Sequence, residues 1–145
     1  MSATAPLISP SARRSRRRGR SFHPPTAGTL LDQARQGLLD AEYASRPVDR
    51  YAQAHLAALR AAAAVLAARA RPRRRARPTS VWVLLPTVAP ELAEWSAFFA
   101  ATSATRTAAE AGVSRLVSTR DADDLVRQAG EFLSLVERAV CGPST

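Results

Sequence analysis

From Thr119 to Cys141 the apolar side chains fall at Leu125, Ala129, Phe132, Leu133, Val136 and Val140. Steps of three and four residues gather all six on one side of an α-helix and would scatter them over both faces of a strand. Asp121, Asp123 and Asp124 crowd the start of this segment and Arg138 sits near its end, both matched to the helix macrodipole. The segment therefore reads as an amphipathic helix that must bury one face against other helices, and the same spacing recurs upstream.

A first helix is expected from about Thr29 to Ala44, with Leu30, Leu31, Ala34, Leu38 and Ala41 on one side. Thr29 can cap it, and Asp32 three residues on completes a pair like a capping box. A second opens near Ser45 and Pro47, a residue tolerated in a first turn, and runs to about Ala70. Its stripe is Tyr51, His55, Leu59, Ala62 and Leu66, flanked by alanines that let neighbouring helices approach closely. The run Ala61–Ala64 adds intrinsic helicity. Val81 to Leu85 has no clear period. Ser80 can cap a helix there and no partner strand exists elsewhere, so one or two helical turns are expected. A further long helix should start near Thr87, with Pro90 in its first turn and Glu91 and Glu94 favourable to its dipole. Leu92, Trp95, Phe98 and Phe99 cover a wide arc of it, and Gly112 is its stop signal. The fold class is therefore all-α, an antiparallel bundle of four to five helices over residues 29–141.

Charge is divided unevenly. The 145 residues carry 21 basic side chains, all arginine, against 12 acids, a formal net charge of +9. Arg13, Arg14, Arg16, Arg17, Arg18 and Arg20 lie in residues 1–28 without an acid, and Arg69, Arg71, Arg73, Arg74, Arg75 and Arg77 lie in residues 69–77, again without one. Residues 1–28 also hold Pro6, Pro10, Pro24 and Pro25 and read as a disordered basic tail; a misassigned start codon would account for them as well. Residues 71–79, with Pro72 and Pro78, read as a basic connector. Alanine occurs 31 times, and alanine and arginine share GC-rich codons, so genome composition explains much of the arginine. Clustered guanidinium groups still neutralise phosphates, which makes Arg13, Arg14, Arg16, Arg17, Arg18, Arg20, Arg71, Arg73, Arg74, Arg75 and Arg77 the candidate nucleic-acid-binding residues.

Several function classes receive no support. Cys141 is the one cysteine, so an internal disulfide is impossible, and it is expected half-buried at the end of the last helix. No apolar run reaches the roughly 18 residues that span a bilayer, and the best stretch, 56–68, is interrupted by Arg60. The start lacks a secretory pattern, so a cytoplasmic protein without membrane contact is expected. No Gly-rich phosphate loop, Ser/His/Asp set or CxxC pair is present, and nothing calls for a metal or another cofactor. Trp95, Phe98 and Phe99 could stack bases, but at helical spacing they fit a core. Asp121, Asp123 and Asp124 suit a helix N-terminus better than a cation site.

His55 is open to two readings. At mid-stripe it can be a buried histidine bonded to a neighbour. With Arg50 it also spells R-x4-H, a spacing at which an arginine could stabilise phosphate charge while the histidine moves protons. Arg50 and His55 are thus the candidate catalytic residues of a metal-independent ribonuclease. The pattern is cheap in so arginine-rich a chain, since His23 satisfies it from Arg18. Five helical residues also set two side chains about 140° apart. Convergence would need Arg50 at a frayed helix start, or a partner subunit.

The stretch Arg50-Tyr51-Ala52-Gln53-Ala54-His55-Leu56-Ala57-Ala58-Leu59-Arg60, continuing through Ala61–Ala64 to Val65-Leu66, resembles the second-helix signature of the HEPN domains (higher eukaryotes and prokaryotes nucleotide-binding), in particular a group from high-GC bacteria. The segments Val88-Ala89-Pro90-Glu91-Leu92-Ala93-Glu94-Trp95 and Asp121-Ala122-Asp123-Asp124-Leu125 are similar to that group too, so the resemblance covers about residues 28–138. It implies a helical bundle of four to five helices that commonly forms a homodimer. Many members cleave RNA as toxins or partner nucleotidyltransferase-like proteins; others are inactive binding modules. Active members carry their Arg and His on a later helix, and no histidine follows His55 here. The expectation is a noncatalytic HEPN-like module whose target is RNA or a protein partner, in a toxin–antitoxin or stress-response setting. The alternatives are a ribonuclease using Arg50 and His55, and a protein-interaction bundle with no nucleic-acid role.

Overall fold

The computed structural model describes residues 25–69 and 79–142. The expected tail and connector lie outside the described residues, save their edges at 25–28 and Thr79, and so do the candidate nucleic-acid-binding arginines. Five α-helices and no strand occur among the described residues: α1 (Ala27–Tyr43), α2 (Pro47–Arg69), α3 (Val81–Val88), α4 (Ala93–Glu110) and α5 (Thr119–Cys141).

Helix α1 starts earlier than its sequence suggests. Thr26, in extended conformation, is the N-cap and accepts from the Thr29 amide at 3.0 Å. Thr29 therefore sits inside the first turn, and Asp32 pairs with Arg35 at 2.8 Å instead of completing a capping box. The three residues 44–46 reverse the chain, and Pro47 opens α2, where a missing amide hydrogen costs nothing. Ser80 caps α3 by accepting from the Trp82 amide at 3.2 Å.

The long helix expected from Thr87 is split. Thr87 ends up in α3, a 3₁₀ turn spans Pro90–Leu92, and α4 begins only at Ala93. Pro90 is the cause: it disfavours helical geometry in the residue before it, and Ala89 is displaced to φ −141°, ψ 74°. Gly112 does end α4, at φ +89°. A full capping box opens α5: Ser118 Oγ accepts from the Asp121 amide at 3.0 Å, and Asp121 accepts from the Ser118 amide at 3.1 Å.

Helix α2 is the axis of the bundle, and the other four helices all pack on it. Its buried surface is much wider than one stripe. Ala54, Ala57, Ala58, Ala61, Ala62, Ala64 and Val65 are all buried, whereas Leu59 and Leu66 of the expected stripe are only half-buried. A helix surrounded on most sides has room for methyl groups and excludes longer side chains from the closest crossings. The α1 crossing shows this: a Cβ placed on buried Gly37 would lie 3.5 Å from the Ala57 Cβ. The apolar face of α5 matches its periodicity, with Leu125, Ala129, Phe132, Leu133 and Val136 buried. Cys141 is exposed rather than half-buried. One helical step of about 100° past Val140 turns it away from that face.

Candidate functional site

His55 lies in the middle of α2 with 0 % of its surface exposed. Its Nε2 is 2.9 Å from the Phe99 carbonyl oxygen. A carbonyl only accepts, so Nε2 carries the proton and Nδ1 is bare. Nδ1 has no hydrogen-bond partner. Aromatic rings meet the imidazole edge-on, Trp82 at 5.9 Å and Phe99 at 5.7 Å between centroids. Its pKa is pushed below the ordinary histidine value, first by burial; the Phe99 carbonyl opposes this, and the charges of Arg106 and Glu110 act in opposite directions. This is a neutral imidazole that ties α2 to α4.

Arg50 lies within the first turns of α2, and its guanidinium is engaged elsewhere. Nη1 donates to the Glu42 carbonyl at 2.9 Å and the Ala44 carbonyl at 3.5 Å, and Nη2 meets Asp123 at 2.7 Å. It thus closes the end of α1 and fastens it to α5. Because Arg50 is inside the helix and not at a frayed start, helical geometry sets it well away from His55. Within the described chain the two candidate catalytic side chains do not meet.

The aromatic set is a core. Phe99 and Phe132 are fully buried with centroids 5.1 Å apart, and Trp82 stacks on Phe99 at 5.1 Å. Trp95 and Phe98 are half-buried against them. Of the three N-terminal acids of α5, Asp121 caps the helix, Asp123 holds Arg50, and Asp124 pairs with Arg127 at 3.1 Å. Arg69 of the second arginine cluster is the last residue of α2 and pairs with Glu91 at 2.8 Å. Among the described residues no group of His, Cys, Asp and Glu is placed to hold a metal ion, and no helix is long and apolar enough to cross a membrane.

One concavity escaped the sequence. Helices α4 and α5 touch through Phe99 and Trp95 against Phe132, at 5.1 Å and 5.6 Å. Towards their linker they part around a cavity of about 390 Å³. Thr102 and Thr105 of α4 face Asp121 and Asp124 of α5 across it, with Tyr51 of α2 also in the lining. The legible signal was two polar pairs at i, i+3, each on a helix face next to an apolar one.

A five-helix bundle around a small-residue central helix, with an arginine and a histidine on that helix, defines a class of all-α module. The chain belongs to the SAV_6107-like HEPN family, whose family model matches residues 41–137. The match runs from the last turn of α1 through nearly all of α5. No curated protein and no solved structure matches the chain.

Proposed function

We propose that this chain is a noncatalytic HEPN module that binds RNA through its two arginine-rich segments, as a cytoplasmic homodimer. The observation that carries the noncatalytic half is His55. A general acid or base must come within hydrogen-bond reach of the reacting group, whereas this imidazole is sealed in the core with its one proton given to Phe99. The RNA half rests on charge. The described residues hold 10 arginines against 12 acids, so the whole cationic surplus belongs to Arg13–Arg20 and Arg71–Arg77. Attraction of that kind carries no base information and is salt-dependent.

The test is fluorescence anisotropy with a labelled single-stranded RNA over a series of salt concentrations. The logarithm of the affinity should fall linearly with the logarithm of salt, by about 0.7 per phosphate neutralised. Replacing the arginines of both segments by glutamine in the full chain should abolish binding. Salt-insensitive binding, or none at low salt, removes the RNA half. RNA cleavage by the purified protein that disappears in His55→Ala removes the noncatalytic half. Leu39 and Tyr43, one turn apart on α1 and 48 % and 85 % exposed, favour a protein contact on that helix, either a second copy or a nucleotidyltransferase-like partner.

A further inference from the structure

Helix α1 turns two large apolar side chains to solvent. Leu39 is 48 % exposed and Tyr43 85 %. At about 100° per residue they lie on the side of α1 opposite its buried Ala34, Gly37 and Ala41. The same rotation sets Asp40 beyond Tyr43 and Glu42 beyond Leu39, so an acid borders the pair on each side. Both acids stand near the end of the helix, whose last turn holds no base and where the macrodipole favours positive charge. The one arginine of α1, Arg35, is engaged by Asp32 and Glu137. Asp40 accepts from Gln36 at 3.0 Å, and neither Asp40 nor Glu42 has an ion pair among the described residues.

An arginine-bearing segment fits this face. A guanidinium can lie on the Tyr43 ring, its stem along Leu39, with N–H groups for the carboxylates. The size of the patch selects which segment. A stable complex of separate molecules buries about 800 Å² on each side, far more than two side chains supply. A segment joined to the helix itself meets the patch at an effective concentration on the order of millimolar. Residues 13–20 lead into α1 and carry six arginines and no acid. From Ala27 to Tyr43 the helix is about 24 Å long. The stretch from Arg20 to Ala27 spans about 23 Å when extended, so Arg20 just reaches Tyr43 and Arg13–Arg18 reach it with slack. Residues 70–78 are a poorer match. They are held at both ends, and α2 runs antiparallel to α1, with Ala57 against Gly37, so they leave α2 beside the start of α1, far from Tyr43.

We propose that the arginines of residues 13–20 dock on α1 of their own chain, across Leu39 and Tyr43 and between Asp40 and Glu42. The proposal does not rest on the RNA-binding reading, and RNA is absent from its test. A protein partner that uses this face of α1 first displaces the segment.

The test is paramagnetic broadening of amide NMR signals in the full-length protein. Cys141→Ser removes the native thiol and Ser15→Cys places a nitroxide among the arginines. At low salt the label should broaden the amides of Gln36, Leu39, Asp40 and Tyr43 well beyond those of Ala100 and Ala104 on α4, relative to the reduced label. The broadening should fade as salt is raised. It should disappear when Tyr43→Ser, Asp40→Asn and Glu42→Gln are combined, all at exposed positions, and survive in Tyr43→Phe, which keeps the ring. Broadening spread evenly over the surface, or unchanged in the triple variant, overturns the proposal. So does broadening of equal size when the spin label and the isotope label are on different chains, because the occupant is then a second copy.

Discussion

Replacing His55 by leucine isolates what a buried neutral imidazole does to this fold. The Phe99 carbonyl that accepts from His55 also accepts from the Thr102 hydroxyl at 3.0 Å and the Ser103 hydroxyl at 3.1 Å. It is not orphaned when the imidazole goes, so His55→Leu should cost only about 1 kcal/mol, one ordinary hydrogen bond. Acid is a larger perturbation. Protonated, His55 would hold a charge in the core with an Nδ1–H that finds no acceptor. Its folded pKa is below the unfolded value near 6.5, chiefly through burial. With that order, the unfolded chain binds the proton first. Stability is therefore complete above about pH 6.5 and falls as the pH drops below it, by up to about 1.4 kcal/mol per pH unit. The loss levels off only once the pH is below the folded pKa. Urea denaturation at pH 7.5, 6.5, 6.0 and 5.5, conditions set by that window, measures the slope. Wild type should lose stability across the series, and His55→Leu should stay nearly flat. A wild-type slope that survives in His55→Leu would refute the argument, because the acid sensitivity would then lie elsewhere.

Arg50→Ala should lower stability by about 1–2 kcal/mol in thermal or chemical denaturation, since it removes charge-assisted bonds to Asp123 and to the α1 carbonyls. Arg50→Lys should restore only part of this, as a point charge cannot reach both. Gly130→Ala in α5 should stabilise the fold by about 0.5–1 kcal/mol. A Cβ there meets only the Leu38 Cδ2, at 3.6 Å, and a loss of stability would show that this contact is tighter than it looks.

The periodicity of α5, with its capping acids, could be read directly, because a helix that buries one face writes that face into its spacing. Helix α2 was legible only in part. Alanine has almost no pattern of its own, so a central helix and a one-sided helix look alike until their neighbours are present. The cap at Thr26 and the break at Ala89 are local too, yet the sequence reading put the cap at Thr29 and ran one long helix from Thr87 through Pro90. At the candidate site, the R-x4-H spacing was visible and the separation of its two side chains followed from helical geometry. Where each group would be satisfied did not. The Phe99 carbonyl lies 44 residues from His55, and Asp123 lies 73 from Arg50.

Sequence alone therefore determined the helical class and most helix ends, since hydrophobic period and caps are local properties of the chain. Only tertiary structure decided that α2 is the axis, that His55 is sealed in the core, and that Tyr51 of α2 meets the polar faces of α4 and α5. These depend on which distant segments come together, and packing around a helix of small residues brings them together in ways no local pattern specifies.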